Sequence, residues 1–528
     1  MTLKFHNTLT GHIDEFVSQT TEKALIYTCG PTVYDYPHIG NWASYIYWDT
    51  LVRILMANNY EVTRVMNITD VGHLTSDADD GEDKLEKGAK REGKTAWEVA
   101  KFYTDDFMAG IQKLGIIPPQ YIAKATDYIP DQINLIRKLK DNGFTYQIDD
   151  GIYFDTSKFP SYADFANLNL NALKAGARVE YNPQKRNHSD FALWKFTPTD
   201  TTRDMEWELP PDLVDSSSYI VDSESDTQVL DKSNSENHIL PTNPHLPSTS
   251  PHLPPTNYHL PKKGFPGWHL ECSAIAMSIL GDTIDIHTGG IDHIPVHHTN
   301  EIAQSEAASG SRFCNYWLHN NFIKVDGSKI SKSTGNGYTL DDLQQKNFSP
   351  LDFRLFVLQG NYRNEGNFTF DGLQAAKNRR HNWRNIAALR HQVHDTVKGD
   401  KEKNQNDKTL SLYATPQAII EAIDNDMGTP EALKIIDDAF GHILNTRLIN
   451  INRQTLMHLL ETIDYTLGLQ LIDSTPDITD DIKQMIINRN AARDQKDWAS
   501  ADDLRTKLAL AGIVLRDTET ESIWEYQV

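Results

Sequence analysis

The chain is poor in cysteine, in basic charge and in long apolar runs, and each shortage excludes something. Three cysteines in 528 residues, Cys29, Cys272 and Cys314, form an odd, widely spaced set that cannot frame a disulfide scaffold, so a reducing compartment is expected. The 73 acidic side chains outnumber the 51 basic ones for a formal charge of −22, which rules out indiscriminate coating of nucleic acid or anionic membrane. Any nucleic-acid site has to be a local basic face. No apolar run approaches the roughly 20 residues of a membrane-spanning helix. The opening MTLKFHNTLTGHIDEF lacks the order of a signal peptide and is too acidic for a transit peptide. A cytoplasmic protein with no membrane partner is the expectation, and at roughly 150 residues per domain the length predicts several domains.

What is present reads as α/β. ALIYTC at 24–29 stops at Gly30-Pro31, and EVTRVMNIT at 61–69 repeats the pattern after a helix at about 42–58. Strand, loop, helix, strand opens a Rossmann-like parallel sheet. Helical spacing over 97–114 and 131–141, then a hairpin with an Asp-Gly turn at 144–156, predicts a smaller mixed unit interrupting that sheet. From 209 to 262 the composition changes. Residues 204–236 hold ten acids against one lysine, and four heptads beginning at His238, His245, His252 and His259 follow. A proline in every copy forbids a coiled coil and favours an extended, solvated insertion, with metal binding by the spaced histidines as the alternative. Downstream the pattern is helical. Residues 377–403 carry a local +5, a candidate phosphate-contacting face or a solvated helix. In 429–448, Thr429 reads as an N-cap with Pro430 first in the helix and Leu433, Ile436, Phe440 and Leu444 on one face. The tail predicts a small helix-plus-strand unit with GIVL at 512–515 as its strand.

Three constellations carry chemistry. His38-Ile39-Gly40-Asn41 leads from the first strand into a helix, where an open α/β sheet binds ligands. Gly40 admits a nucleotide to the backbone, the helix N-terminus attracts phosphate, and His38 can donate to it, although a helix-start histidine would look the same. Lys329-Ile330-Ser331-Lys332-Ser333, after a Val325-Asp326-Gly327 turn, is a loop able to close on polyphosphate and neutralise a leaving pyrophosphate, or else a solvated lysine loop. Cys29, Cys272, His297 and Glu301 make a plausible zinc set, with His297 and Glu301 four apart on one helical face and Cys272 opening a helix. Two buried cysteines and unrelated polar residues is the alternative. Cys314 reads as a buried apolar residue.

With these motifs stand YTCGPTVYDYPHIGN, NITDVGH at 67–73, AGARVE at 175–180, KRNHSDFALWK at 185–195, GFPGWHLECSA at 264–274, HTGGID with HHTNEIAQSEA, KISKSTGN, TPEAL and the tail from Arg493 to Asp517. Together they resemble the cysteinyl-tRNA synthetases, a family of class I aminoacyl-tRNA synthetases, over nearly the whole chain outside the insertion. The resemblance implies a Rossmann-like catalytic domain in two halves, 1–120 and 263–323. A connective unit at 121–208 and the acidic, Pro-rich insertion at 209–262 separate them. A loop and stem-contact region at 324–375, a helical bundle at 376–475 and an anticodon-binding unit at 476–528 follow. It implies a ligase that activates L-cysteine with ATP and Mg2+ to cysteinyl-adenylate and transfers it to the 3′ end of tRNA(Cys), working as a monomer. One zinc on Cys29, Cys272, His297 and Glu301 would accept the substrate thiolate, which a soft metal prefers over the hydroxyl of serine. By the same resemblance Thr32, His38, Gly40, Asn41 and Lys332 bind ATP, while His38, Asn41, Lys329 and Lys332 serve catalysis. Thr32 and Asp35 shape the site, Trp268, Asp292 and Thr32 line the cysteine pocket, and Arg493, Trp498, Asp502 and Asp517 read the anticodon. The chain departs from the family pattern at Asn41, Ile330, Thr299, His293 and Pro295-Val296. Two rivals remain: a ligase joining cysteine to an amino sugar, whose members lack the C-terminal unit, and a non-catalytic tRNA-binding relative.

Overall fold

The computed structural model describes residues 2–72, 83–168, 182–198, 200–214, 262–331, 335–393, 410–518 and 522–527. Five strands, β1 (Lys23–Thr28), β2 (Glu61–Ile68), β3 (Tyr121–Lys124), β4 (Ile284–Gly290) and β5 (Cys314–Asn320), form one parallel sheet in the order β5-β4-β1-β2-β3. The chain runs outward from β1 to β3 and resumes on the other side of β1, so the order reverses between β1 and β4. Both faces of such a sheet must be covered, which is why the strands are apolar runs rather than alternating ones. Alternate residues go to opposite sides. Ile26, Met66 and Leu318 pack with helix α1 (Ile39–Ala57), and Tyr27, Val65 and Trp317 pack with helix α2 (Trp268–Leu280). α1 is itself overlaid by the helices Pro350–Leu358 and Arg453–Leu467. Buried Asp49 on α1 is matched there by Arg53 at 2.7 Å and by Arg354, because an unpaired carboxylate at that depth would be costly.

A second, antiparallel sheet interrupts the first, with strands ordered Thr145–Ile148, Gly151–Phe154, Phe191–Phe196, Lys263–Pro266 and Trp207–Glu208. Its hairpin turns on Asp149-Asp150 rather than on an Asp-Gly pair. Gly151 is already a strand residue facing Ile148, and a side chain on it would sit 2.3 Å from Trp194 O. Trp207–Glu208 and Lys263–Pro266 are paired neighbours, so the chain departs at 214 and returns at 262 on adjacent strands. Residues 215–261, with the first three heptads and the start of the fourth, lie outside the described residues, as does the 175–180 segment, while the fourth heptad runs on into the strand Lys263–Pro266.

In the bundle, the helix expected from 429 runs Thr429–Leu444, but its N-cap is Gly428. Thr429 is buried and donates its hydroxyl to Gly360 O at 3.5 Å. Leu444 is 47% exposed, and Ile443 takes its place on the buried face, where the helix is about to end. The basic stretch also differs from expectation. Arg379 pairs with Asp437 at 2.6 Å, Arg380 is buried against Asp352, Arg384 donates to Ser474 O and Arg390 to the carbonyls of Ile472 and Thr475. These arginines close the bundle rather than offering a phosphate face, and residues 394–409 lie outside the described residues. The C-terminal unit is two helices, Asp480–Asp494 and Trp498–Leu510, and a hairpin of Ile513–Asp517 with Ser522–Tyr526. The second strand, absent from the sequence expectation, gives this small core Trp524 and sends Ile523 into the main core.

Candidate active site

Ligands of open α/β sheets bind beyond the strand C-termini where the strand order reverses. Here that point collects the candidate metal ligands. Cys29 follows β1, Cys272 lies in the second turn of α2 rather than opening it, and His297 and Glu301 come from the segment after β4. His297 sits in a single π-turn, Ile294–His298, running into helix α3 (Thr299–Ser309), and π-turns recur at functional sites. The four ligand atoms of Cys29, Cys272, His297 and Glu301 lie within 4.8 Å of one another. Glu301 Oε1 is buried and makes no aligned hydrogen bond although His297 Nε2 is 3.0 Å away. An orphaned carboxylate oxygen facing an imidazole nitrogen and two thiols is the donor set of a tetrahedral zinc site, so the residues fit that ion.

A second group, Cys29, His287, His298 and Glu301, satisfies the same spacing. In it His287 Nε2 is 2.9 Å from Glu301 Oε2, and His298 Nδ1 is 2.7 Å from His319 Nε2. With one thiol instead of two it is the harder set, so the first group suits zinc better.

Electrostatics agree. Burial opposes charge on Glu301, yet the His287 and His297 imidazoles hold its carboxyl well below the usual range. Burial likewise opposes charge on His297, but Glu301 raises it well above its ordinary value. Burial pushes the Cys272 thiol up, and the neighbouring Cys29 adds to this.

Around this set, His269 Nδ1 and His297 Nδ1 are 2.9 Å apart, and the Trp268 ring lies 4.6 Å from that of His297. Trp268 is half-buried and faces the set rather than the core. Lys84 Nζ stands 5.4 Å above the Trp268 ring. Asp292 is exposed just past β4, and Thr32 pairs with Thr69 across the strand tips. Asp35 forms an ion pair with Arg91 at 3.4 Å.

The His-Ile-Gly-Asn and lysine-loop motifs meet at the start of α1. His38 caps α1: Asn41 N donates to His38 Nδ1 at 3.2 Å, and His38 N donates to Asn41 Oδ1 at 3.1 Å. This reciprocal cap explains how asparagine serves at position 41, and with Nδ1 accepting, a neutral His38 carries its proton on Nε2. Ile39 N donates to Tyr338 O at 2.8 Å, and a Cβ on Gly40 would lie 3.0 Å from both His38 Cε1 and Ile330 Cδ1. A side chain at position 40 would therefore press on both motifs where they touch. Lys329 is exposed, with its carbonyl and Ser331 N both held by Asn336, and Lys332 lies outside the described residues. Cys314 is buried in the same apolar cluster as Cys272, its thiol donating to Tyr316 O at 3.3 Å.

In the C-terminal unit, Asp517 accepts from Arg489 at 2.5 Å and pairs with Arg493 at 2.7 Å. Trp498 is 60% exposed, which rejects a core-filling role, and Asp502 is exposed on the same helix. Sequence reasoning missed Arg489, His269, His287, His298, His319 and Lys84. Only His269, His287 and His298 fall in segments quoted above, and no periodicity separates a pocket histidine from a core one.

A parallel sheet whose switch point carries a capped His-Ile-Gly-Asn helix and a lysine loop is the catalytic domain of a class I aminoacyl-tRNA synthetase. The fold is shared with a Mycobacterium tuberculosis methionyl-tRNA synthetase in complex with methionyl-adenylate (TM-score 0.54, 14% identity, covering 85% of this chain and 92% of that one). It is shared too with an Agrobacterium radiobacter LeuRS in a ternary complex (TM-score 0.55, 12% identity, 88% and 87%). The description "tRNA synthetases class I (C) catalytic domain" matches residues 15–212 and 255–378, and "Cysteinyl-tRNA ligase anticodon binding domain" matches 475–524. Similar proteins include a Cysteine--tRNA ligase of Treponema denticola, 38% identical over 99% of this chain and 100% of its own length. A Cysteine--tRNA ligase 1 of Burkholderia lata is 36% identical over 98% and 96%. The chain belongs to the cysteinyl-tRNA ligase family.

Proposed function

We propose that the protein is an ATP-dependent ligase that joins L-cysteine to the 3′ end of tRNA(Cys) through cysteinyl-adenylate, selecting cysteine by its thiol. The single observation carrying this reading is the convergence of Cys29, Cys272, His297 and Glu301 at the switch point beside the His38–Asn41 cap. Zinc, when held by those four residues, supplies a soft Lewis acid that distinguishes thiolate from hydroxyl. Trp268 and Asp292, with Thr32, bound the cysteine pocket. The α1 N-terminus and His38 Nε2–H face the ATP phosphates, which enter with Mg2+. Gly40 and Asn41 let the nucleotide lie against the backbone, and Lys329 and Lys332 neutralise charge as pyrophosphate leaves. Catalysis is then chiefly positioning and charge stabilisation, with no enzyme-bound covalent intermediate. Arg493, Trp498, Asp502 and Asp517 read the anticodon by stacking and hydrogen bonds.

The retained C-terminal unit argues against the amino-sugar ligase, and the intact lysine loop against a non-catalytic relative. No helix among the described residues is long and apolar enough to cross a membrane, and the reading places a monomer in the cytoplasm. Incubation with ATP, labelled cysteine and tRNA(Cys) tests it: charged tRNA is expected, and its absence with a correctly folded protein sinks the reading.

A further inference from the structure

The end of β2, beside the metal set but outside it, carries a buried polar bridge. Gly30 N donates to Asn67 Oδ1 at 2.7 Å. A backbone N–H is only a donor, so this contact fixes which way the Asn67 amide points. Asn67 Nδ2 therefore faces the other way and donates to Glu271 Oε1 at 3.1 Å and to Thr69 Oγ1 at 3.0 Å. Thr69 Oγ1 in turn donates to the same Glu271 oxygen. Asn67, Thr69 and Glu271 are each at most 2% exposed.

The bridge ends are next to the two thiols. Gly30 follows Cys29 just past β1, and Glu271 precedes Cys272 on α2. These cysteines come from opposite ends of the catalytic fold, and β2 lies next to β1. Position 30 has no room for adjustment, because a Cβ there would lie 1.6 Å from Asn67 O. One side-chain amide thus spans the gap between the loop carrying Cys29 and the helix carrying Cys272.

We propose that Asn67 is a positioning residue for the metal set: by tying Gly30 to Glu271 it fixes the separation of Cys29 and Cys272, and with it metal affinity and the grip on substrate cysteine. The inference rests on the zinc reading above. Cys272 Sγ donates to the same Glu271 Oε1 at 4.0 Å, so Asn67 holds a hydrogen-bond partner of a ligand, and disturbing such partners changes metal affinity about 10–100-fold. In the full-length protein, Asn67→Asp keeps an acceptor for Gly30 N but turns a carboxylate oxygen toward Glu271. Zinc affinity, measured by competition with a chelator, is expected to fall about 10–100-fold, and KM for cysteine to rise in ATP–pyrophosphate exchange while KM for ATP stays put. Glu271→Gln keeps an acceptor and is expected to bind zinc like the unaltered chain. Glu271→Met keeps the bulk but no acceptor, and is expected to reproduce the Asn67→Asp loss, which keeps the inference testable if Asn67→Asp does not fold. A bridge that merely closes the strand end would lower the melting temperature but leave zinc affinity and the cysteine KM unchanged in Asn67→Asp or Glu271→Met. That result overturns the proposal alone, whereas an unaltered chain that takes up no zinc overturns the metal reading with it.

Discussion

The switch-point site and the C-terminal unit build recognition in opposite ways. At the switch point, Cys272, His297 and Glu301 are at most 2% exposed and are drawn from separate parts of the chain. In the C-terminal unit, Arg493, Trp498, Asp502 and Asp517 fall within 25 positions, and Trp498 is 60% exposed. A buried set can distinguish one atom of a small substrate, since each unpaired donor is costly there. An exposed aromatic beside a held arginine instead suits unpaired bases, whose faces need only a platform.

That contrast predicts how each region breaks. Cys272→Ser removes a thiolate from the buried set, and metal analysis of the purified protein should find zinc lost, with cysteine-dependent exchange down by more than about 100-fold, beyond the cost of losing an outer partner. Retained zinc would instead favour the alternative group with His287 and His298. Lys329→Ala should lower the exchange rate about 10²-fold, the cost of one charge-stabilising donor, with zinc content unchanged. Trp498→Ala should weaken tRNA(Cys) by about 1–3 kcal/mol, the worth of one stacked base. It should show in the KM for tRNA while exchange without tRNA is untouched; equal effects on both would erase the division between the regions. The smallest effect concerns acid. Hydrogen bonds from Arg489 hold the Asp517 carboxyl well below the usual range, so its contribution is full above the unfolded value near 3.9 and is lost as pH falls below it. Because Asp517 is partly exposed, this amounts to about 1 kcal/mol or less. Urea melts of the C-terminal unit followed between pH 5 and about 3 should show it, and a loss setting in near neutrality would contradict it.

The two regions were also unequally legible. The α/β order and the β1 end were readable because an apolar run stopping at Gly30-Pro31 has few other meanings, and the ligand set followed from cysteine, histidine and glutamate in segments resembling a known family. Its alternatives were not readable. That His287 and His297 both face Glu301 depends on a π-turn and on side-chain direction, which no periodicity encodes. The basic stretch from 377 misled for a related reason: charge counts do not reveal that Asp352 and Asp437 lie opposite. The capping of the helix at 429 misled because Gly428 takes the cap position and Thr429 turns inward to Gly360. In the tail, one strand was visible as GIVL, while its partner with Ile523 and Trp524 follows only residues 519–521, outside the described residues, and shows no apolar run.

The central claim is that the buried Cys29, Cys272, His297 and Glu301 set selects cysteine by its sulfur. ATP–pyrophosphate exchange with cysteine and with serine, on zinc-loaded protein at matched concentrations, tests it most directly. Replacing the thiol by a hydroxyl at a site built for sulfur should suppress exchange by about 10⁴-fold or more. Exchange at equal rates with the two amino acids would contradict the account.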